Sequence, residues 1–258
     1  MVLEFGLIGR TLKHSFSERY FNAHFGHCER PRYSYTLFEL PEIEALPAFL
    51  EAHPNLRGFN VTNPYKQSII PYLDRLDDTA RWIGAVNCVK REYDRWVGYN
   101  TDYLGVADSL QRFLCNERPA QALILGTGGA SQAVQYVLRE MKIPYALVSR
   151  TPGRGEYTYQ DLPQKVVIGA KLIINATPLG TYPAVEEAPE LPYECLTSDH
   201  YLFDLVYNPP FTEFLRRGAA SDAHTMSGDL MLRSQAEASW SIWQIVNSAP
   251  PMAVTRNA

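Results

Sequence analysis

The sequence predicts a two-domain α/β protein in which the second domain is a parallel, doubly wound sheet. Three observations carry that prediction. Short apolar runs that end in glycine or a polar residue alternate with segments of helical periodicity, as βαβ units require. One such run, Ala122-Leu123-Ile124-Leu125, breaks into Gly126-Thr127-Gly128-Gly129-Ala130-Ser131 and then into a helix marked by Val134, Val137, Leu138 and Met141. The chain has 258 residues with 46% hydrophobic content, enough for one large or two small cores.

Composition excludes several classes. The formal net charge of -4 indicates neither a basic nucleic-acid surface nor an acidic disordered chain. No apolar run reaches transmembrane length, and Met1 to Gly6 lacks the basic leader and apolar core of a signal peptide, so a cytoplasmic protein is expected. Cys28, Cys88, Cys115 and Cys195 are scattered, without C-x-x-C or histidines at ligand spacing. Reduced, mostly buried thiols and no metal site are the expectation.

In chain order, Phe5 to Gly9 reads as a strand, and Tyr20, Phe21, His24 and Phe25 mark a helix behind Ser15 and Ser17. Either serine could cap that helix; the pair could instead hold a small carboxylate beside the helix N-terminus. Tyr33 to Leu37 is a strand, and a helix opened by Pro41 runs through Ile43, Leu46, Phe49 and Leu50, with Pro47 ending or bending it. The strand Leu56 to Thr62 leads to Pro64, expected to start a helix carrying Ile69 and Ile70. Lys66 falls in its first turn, where a cation opposes the dipole; it is an exposed lysine or one with a task. Trp82 to Val89 reads as a strand with Asn87 inside it, Arg91 to Arg95 as a hairpin turn, and Trp96 to Thr101 as the partner strand. Asp102 then opens a helix through Leu104, Leu110 and Leu114, as a plain cap or as a functional acid.

The turn at Gly126 to Ser131 aims unpaired helix N–H groups at a pyrophosphate, with Gly126 and Gly128 matching the first two glycines of the dinucleotide fingerprint and Ser131 at the third. After the next strand, Tyr145 to Val148, no acid is present to take a ribose hydroxyl; Arg150 stands there instead, with Arg154 close behind. Guanidinium groups at that point suit a 2′-phosphate, so NADP rather than NAD is expected. Leu172 to Asn175 and Tyr201 to Tyr207 read as further strands of the sheet. The ligand is expected outside their carboxyl ends, with Tyr207 and the loop after Thr177 on that rim. A final helix from Gly228 carries Trp240 and Trp243 as core packing.

The ordered set Ser15-x-Ser17, Gly58-x-Asn60-Val61-Thr62-x-Pro64-x-Lys66, Gly84-Ala85-Val86-Asn87, Asn100-Thr101-Asp102 with Gly105, Gly126-x-Gly128-Gly129-Ala130-Ser131, Asn175 to Gly180, and Met231-Leu232 with Gln235 closely resembles the shikimate dehydrogenase family over nearly the whole chain. Relatives using quinate share most of these motifs. The resemblance implies an amino-terminal α/β substrate domain (1–101), a Rossmann-type NADP-binding domain (102–228), and a C-terminal helix (229–258) packing back on the first domain. It implies reversible NADPH-dependent reduction of 3-dehydroshikimate to shikimate in aromatic amino acid biosynthesis, by a monomer or homodimer without nucleic-acid or membrane partners. Position by position, it implies that Lys66 and Asp102 are the catalytic pair. Ser15, Ser17 and Tyr207 would hold the carboxylate, and Thr62, Asn87 and Gln235 the ring hydroxyls. Gly126, Thr127, Gly128, Gly129, Ala130, Ser149, Arg150, Thr151, Arg154 and Gly228 would bind the cofactor. Glu18, Cys88, Ser149 and Thr181 stand where the family more often has Pro, Thr, Asn and Met. Neither Lys66 nor Asp102 is expected to touch the glycine turn. An NAD-dependent quinate/shikimate dehydrogenase and a non-catalytic ligand sensor are the alternatives; retention of both Lys66 and Asp102 argues against the sensor.

Overall fold

Two six-stranded sheets organise the chain in the computed structural model, which describes residues 2–13, 15–25, 32–115 and 117–244. The first contains β1 (Val2–Gly9), β2 (Arg32–Glu39), β3 (Leu56–Val61), β4 (Arg75–Leu76), β5 (Cys88–Glu92) and β6 (Arg95–Tyr99), in spatial order β2-β1-β3-β5-β6-β4. β1 pairs in parallel with β2 and β3, whereas β5 runs antiparallel to both β3 and β6. Glu92 pairs with Arg95, so the hairpin turn is Tyr93-Asp94.

The second sheet is parallel throughout, from β7 (Ala122–Leu125), β8 (Tyr145–Ser149), β9 (Tyr157–Thr158), β10 (Leu172–Asn175), β11 (Tyr201–Asp204) and β12 (His224–Met226). Its spatial order β12-β11-β10-β7-β8-β9 is, counted from its own first strand, 6-5-4-1-2-3. That is the dinucleotide-binding order, with the topological switch point between β7 and β10. The central strands β7 and β10 are buried at every residue, which is why they read as continuous apolar runs, whereas the edge strands β9 and β12 are only partly buried. Ile124 and Ile174 pack toward α5 (Asp102–Leu114) and α6 (Gly129–Glu140), whereas Leu123 and Ile173 pack toward α7 (Gln164–Gly169) and α8 (Glu213–Ala219).

One helix ties the two sheets together. α9 (Asp229–Gln244) contributes Met231 to the core of the second sheet and Ala236, Trp240 and Trp243 to a core of the first. The Trp243 ring stacks on Phe5 at 4.7 Å and its Nε1 donates to the Val89 carbonyl at 3.0 Å. The aromatic stripe is core packing, as expected from its spacing. Each buried tryptophan removes about 150–250 Å² from water, worth roughly 4–6 kcal/mol before entropic losses.

Several local expectations are corrected. Trp82 to Val89 is not one strand: Asp78–Ile83 is a helix, α4, capped by Asp77, whose side chain accepts from Thr79 N at 3.0 Å. Gly84 ends it in the left-handed region at φ 72°, leaving Trp82 79% exposed. Pro47 starts a helix rather than ending one. It lies in the first turn of α2 (Leu46–Ala52), behind a 3-10 turn at Ile43–Ala45, where its missing N–H leaves no bond unmade. α3 is only Tyr65–Ser68; Pro64 precedes it as cap residue, and Ile70–Tyr72 is a 3-10 turn containing Pro71, which cannot extend the α-helical ladder. β11 stops at Asp204 rather than Tyr207 because the Asp204 side chain takes the Val206 N–H at 3.0 Å. Of the thiols, Cys88 is buried, Cys195 intermediate and Cys115 exposed, so "mostly buried" does not hold; Cys28 lies outside the described residues.

Candidate active site

A cleft of about 350 Å³ opens between the carboxyl ends of the two sheets. Ser15, Ser17, Thr62, Lys66, Asn87, Asp102, Tyr207 and Gln235 all line it, together with Ala130 and Gly228. These residues come from most of the chain's length, and it is the fold that gathers them. β3 delivers Thr62 and then α3 with Lys66; the segment between α4 and β5 delivers Asn87; β6 runs into α5 with Asp102; α9 brings Gln235 back from the far end.

Lys66 is not an exposed, solvated lysine, and Asp102 is not a helix cap. Lys66 Nζ donates to Asp102 Oδ2 at 2.6 Å, with side-chain exposures of 14% and 5%. Asp102 is the first residue of α5, the cap position belongs to Thr101, and no side chain caps that helix. The other carboxylate oxygen, Oδ1, accepts from Asn87 Nδ2 at 2.8 Å. A carboxylate this buried is stable when its lone pairs are met, and here an ammonium and an amide meet them.

Behind the pair lies a hydrogen-bonded layer that the sequence reading left unassigned. Asn87 Oδ1 accepts from Thr101 N at 2.6 Å, and its amide nitrogen also faces Thr101 Oγ1 at 3.0 Å and Gln235 Oε1 at 3.3 Å. Thr101 Oγ1 meets Ser239 Oγ at 3.0 Å; Ser239 in turn accepts from Asn60 Nδ2 at 2.9 Å, and Asn60 Oδ1 accepts from Tyr35 OH at 2.8 Å. All these side chains are buried, so the network fixes which way the Asn87 amide faces. The available signal was polarity inside apolar segments, at Asn60 in a strand and Ser239 among tryptophans.

At the other end of the cleft, Ser17 N–H donates to Ser15 Oγ at 3.3 Å as α1 (Ser17–Phe25) begins. Ser15 therefore serves the backbone while also lining the cleft. The Tyr207 hydroxyl is held above its ordinary pKa by burial, with a backbone hydrogen bond to Phe16 pulling the other way, and stays a neutral donor at physiological pH.

The glycine turn stands at the switch point. Gly126 has φ +104°, a left-handed conformation that favours glycine. A Cβ there would also lie 2.9 Å from Thr177 Cγ2. α6 has no side-chain cap, and a Cβ on Gly128 would meet nothing within 4 Å. Open space thus fronts a helix N-terminus, which fits a pyrophosphate. The neighbouring loop starts at buried Ser149, whose Oγ accepts from Thr151 N at 3.1 Å; Arg150, Thr151 and Arg154 are exposed beside the turn and do not line the cleft. One expectation fails: a Cβ on Gly129 would lie 2.9 Å from Lys66 Cβ, so Lys66 packs on the glycine turn.

In the sequence Asp204 reads only as part of a strand. Fully buried, it accepts from Asn175 Nδ2 at 2.9 Å, from Val206 N and from Thr212 Oγ1, while Asn175 Oδ1 accepts from Thr177 N at 3.0 Å. It thereby braces the loop that follows Asn175 along the cleft. Burial pushes its carboxyl up to about 6, against the pull of those donors. Because the folded value lies above the unfolded one, this residue's contribution to stability is present at low pH and lost as pH rises from about 4 through 6. The gap corresponds to roughly 3 kcal/mol at 1.36 kcal/mol per pH unit. Asp204→Asn is therefore expected to gain in melting temperature relative to the parent between pH 4 and pH 7, by several degrees at about 2–4 °C per kcal/mol. Parallel melting curves across that range would refute the ionisation argument.

A profile for the shikimate dehydrogenase substrate binding domain matches residues 7–89. The chain is 33% identical over 273 residues to shikimate dehydrogenase (NADP(+)) of Desulforamulus reducens, covering 98% of this chain and 92% of that one. Among solved structures, shikimate 5-dehydrogenase of Thermus thermophilus in complex with NADP(H) and shikimate matches with TM-score 0.80 and 31% identity over 95% of this chain and 94% of that one. Quinate dehydrogenase of Corynebacterium glutamicum in complex with NAD matches with TM-score 0.83 and 26% identity, over 95% and 94%. With a relative matched over nearly the whole chain and solved structures of the same fold, this chain belongs to the shikimate dehydrogenase family.

Proposed function

We propose that this chain catalyses the reversible NADP-dependent interconversion of shikimate and 3-dehydroshikimate, in aromatic amino acid biosynthesis. The observation that carries the reading is the Lys66–Asp102 pair, 2.6 Å apart in a cleft lined by hydroxyl and amide groups and flanked by a dinucleotide-type glycine turn. When bound, the nicotinamide accepts or supplies the hydride. The chain's own residues do the rest. Ser15, Ser17 and Tyr207 offer neutral hydroxyl donors to the carboxylate, and Thr62, Asn87 and Gln235 fix the ring hydroxyls. Reduction of the ketone develops negative charge on oxygen, which the Lys66 ammonium protonates; Asp102 orients that ammonium and bonds the substrate. Thr127, Ala130 and Gly228 would complete the cofactor site with Gly126, Gly128 and Gly129, and Ser149, Arg150, Thr151 and Arg154 would take the adenosine phosphate.

The domain division that accompanies this reading is 1–101, 102–228 and 229–258, in a monomeric or homodimeric cytoplasmic enzyme. No helix among the described residues is long and apolar enough to cross a membrane. The test is absorbance at 340 nm with shikimate or quinate, each with NADP or NAD. Turnover fastest with shikimate and NADP is expected. Preference for quinate with NAD would move the chain to the quinate branch, and no turnover in any of the four would favour the ligand sensor.

A further inference from the structure

Resting on Lys66 as the catalytic lysine, we infer that Gly129 is a positioning residue for it: the glycine turn that faces the cofactor is also the wall that sets the lysine stem.

The two elements belong to different sheets. Lys66 lies in α3, behind a strand of the first sheet, and Gly129 is the first residue of α6, behind a strand of the second. They meet across the cleft so closely that the three heavy atoms nearest to a Cβ on Gly129 all belong to Lys66: Cβ at 2.9 Å, Cδ at 3.4 Å and Cγ at 3.6 Å. The closest of these is Cβ, which cannot swing aside as a lysine tip could. Making room would move the backbone of α3 or of α6.

The reasons that apply to the neighbouring glycines do not account for the missing side chain at this position. Gly129 does not have the left-handed φ of Gly126, and it does not front open space as Gly128 does. Alanine is the better helix former, so a glycine in the first turn of α6 is a local disadvantage that a close neighbour must justify. A lysine stem has many rotamers, and two contacts select one here: the ion pair of Nζ with Asp102 at its tip and the backbone of Gly129 along its length. Order in the turn and placement of the ammonium are therefore one mechanical property. Misplacement of a reacting group by a fraction of an ångström to an ångström is costly, and an added methyl at 129 would impose a shift on that scale.

The experiment uses the full chain carrying Gly129→Ala, with Gly169→Ala, whose Cβ would meet nothing within 4 Å on the remote α7, as the control for the substitution itself. Gly129→Ala is expected to lower kcat at saturating NADP about tenfold, a fraction of what an acid–base group supplies; because Gly129 also stands in the proposed cofactor site, NADP affinity is titrated separately by fluorescence so that saturation is assured. In a Lys66→Ala background the same change is expected to cost less than about twofold in kcat, because the group it displaces is gone. Retained kcat at saturating NADP in Gly129→Ala, or a kcat defect that multiplies with that of Lys66→Ala, would overturn the inference. A crystal structure of Gly129→Ala reads it without turnover: a Nζ–Oδ2 separation beyond about 4 Å is expected, and a pair kept near 2.6 Å beside Ala at 129 would refute it. Failure of the parent to oxidise shikimate would instead reject the proposed reaction and leave that structural arm intact.

Discussion

Lys66→Ala is expected to lower kcat for shikimate oxidation by about 10²- to 10⁴-fold, the usual contribution of a positioned acid–base group. KM for shikimate should move far less, because the contacts proposed for Ser15, Ser17, Thr62 and Tyr207, which all line the cleft, remain. Two side effects follow from the geometry. Asp102 is left with Asn87 as its remaining donor, so the melting temperature should fall, and assays belong well below it. NADP affinity should weaken by no more than about threefold, since the lost stem packs on Gly129 without reaching the open space in front of Gly128. A variant with near-normal kcat would remove Lys66 from the chemistry.

Arg150→Asp carries the second large effect. Each charge-assisted hydrogen bond to a 2′-phosphate is worth about 1.5–3 kcal/mol, so NADP affinity should drop roughly ten- to over a hundredfold, with like-charge repulsion adding to the loss. NAD use should be similar or improved, because a carboxylate at the end of β8 can take the ribose hydroxyls. Arg150 and Arg154 are both exposed on the loop beside the glycine turn, so neither has a packing role whose loss would confuse the result. Steady-state kinetics with both cofactors decides the matter. Equal losses for NADP and NAD would sink the 2′-phosphate assignment.

The four inner strands of the second sheet are readable from the sequence because they are apolar, largely buried runs and one of them leads into a glycine turn at the switch point; the short edge strands β9 and β12, partly exposed and polar, leave no such run. The first sheet was harder. Its helices are short and interrupted, and proline at 47, 64 and 71 has three different positions relative to the nearest helix, which spacing alone does not distinguish. Trp82 misled because an aromatic in an apolar run suggests a strand, whereas here it is a solvent-facing residue of a six-residue helix between Asp77 and Gly84. Among site residues, those that line the cleft were legible through the order of their motifs. Those that act behind it were not. Asn60 and Thr101 stand in those motifs without a role of their own, and Ser239 is an ordinary polar residue, until three separate segments fold together around Asn87. Asp204 was hidden by its strand, since only its buried partners Asn175 and Thr212 reveal what it braces. The contact of Lys66 with Gly129 joins two sheets and has no local trace in the chain.

The central claim is that Lys66 and Asp102 act on the substrate as one unit, and a double-mutant cycle on kcat tests it most directly. Lys66→Ala, Asp102→Ala and the combined variant are compared with the parent, with shikimate and NADP both saturating. A shared role predicts that the combined variant is scarcely slower than the worse single one, because the second substitution removes a group already without its partner. Defects that multiply would show two independent contributions and contradict the account.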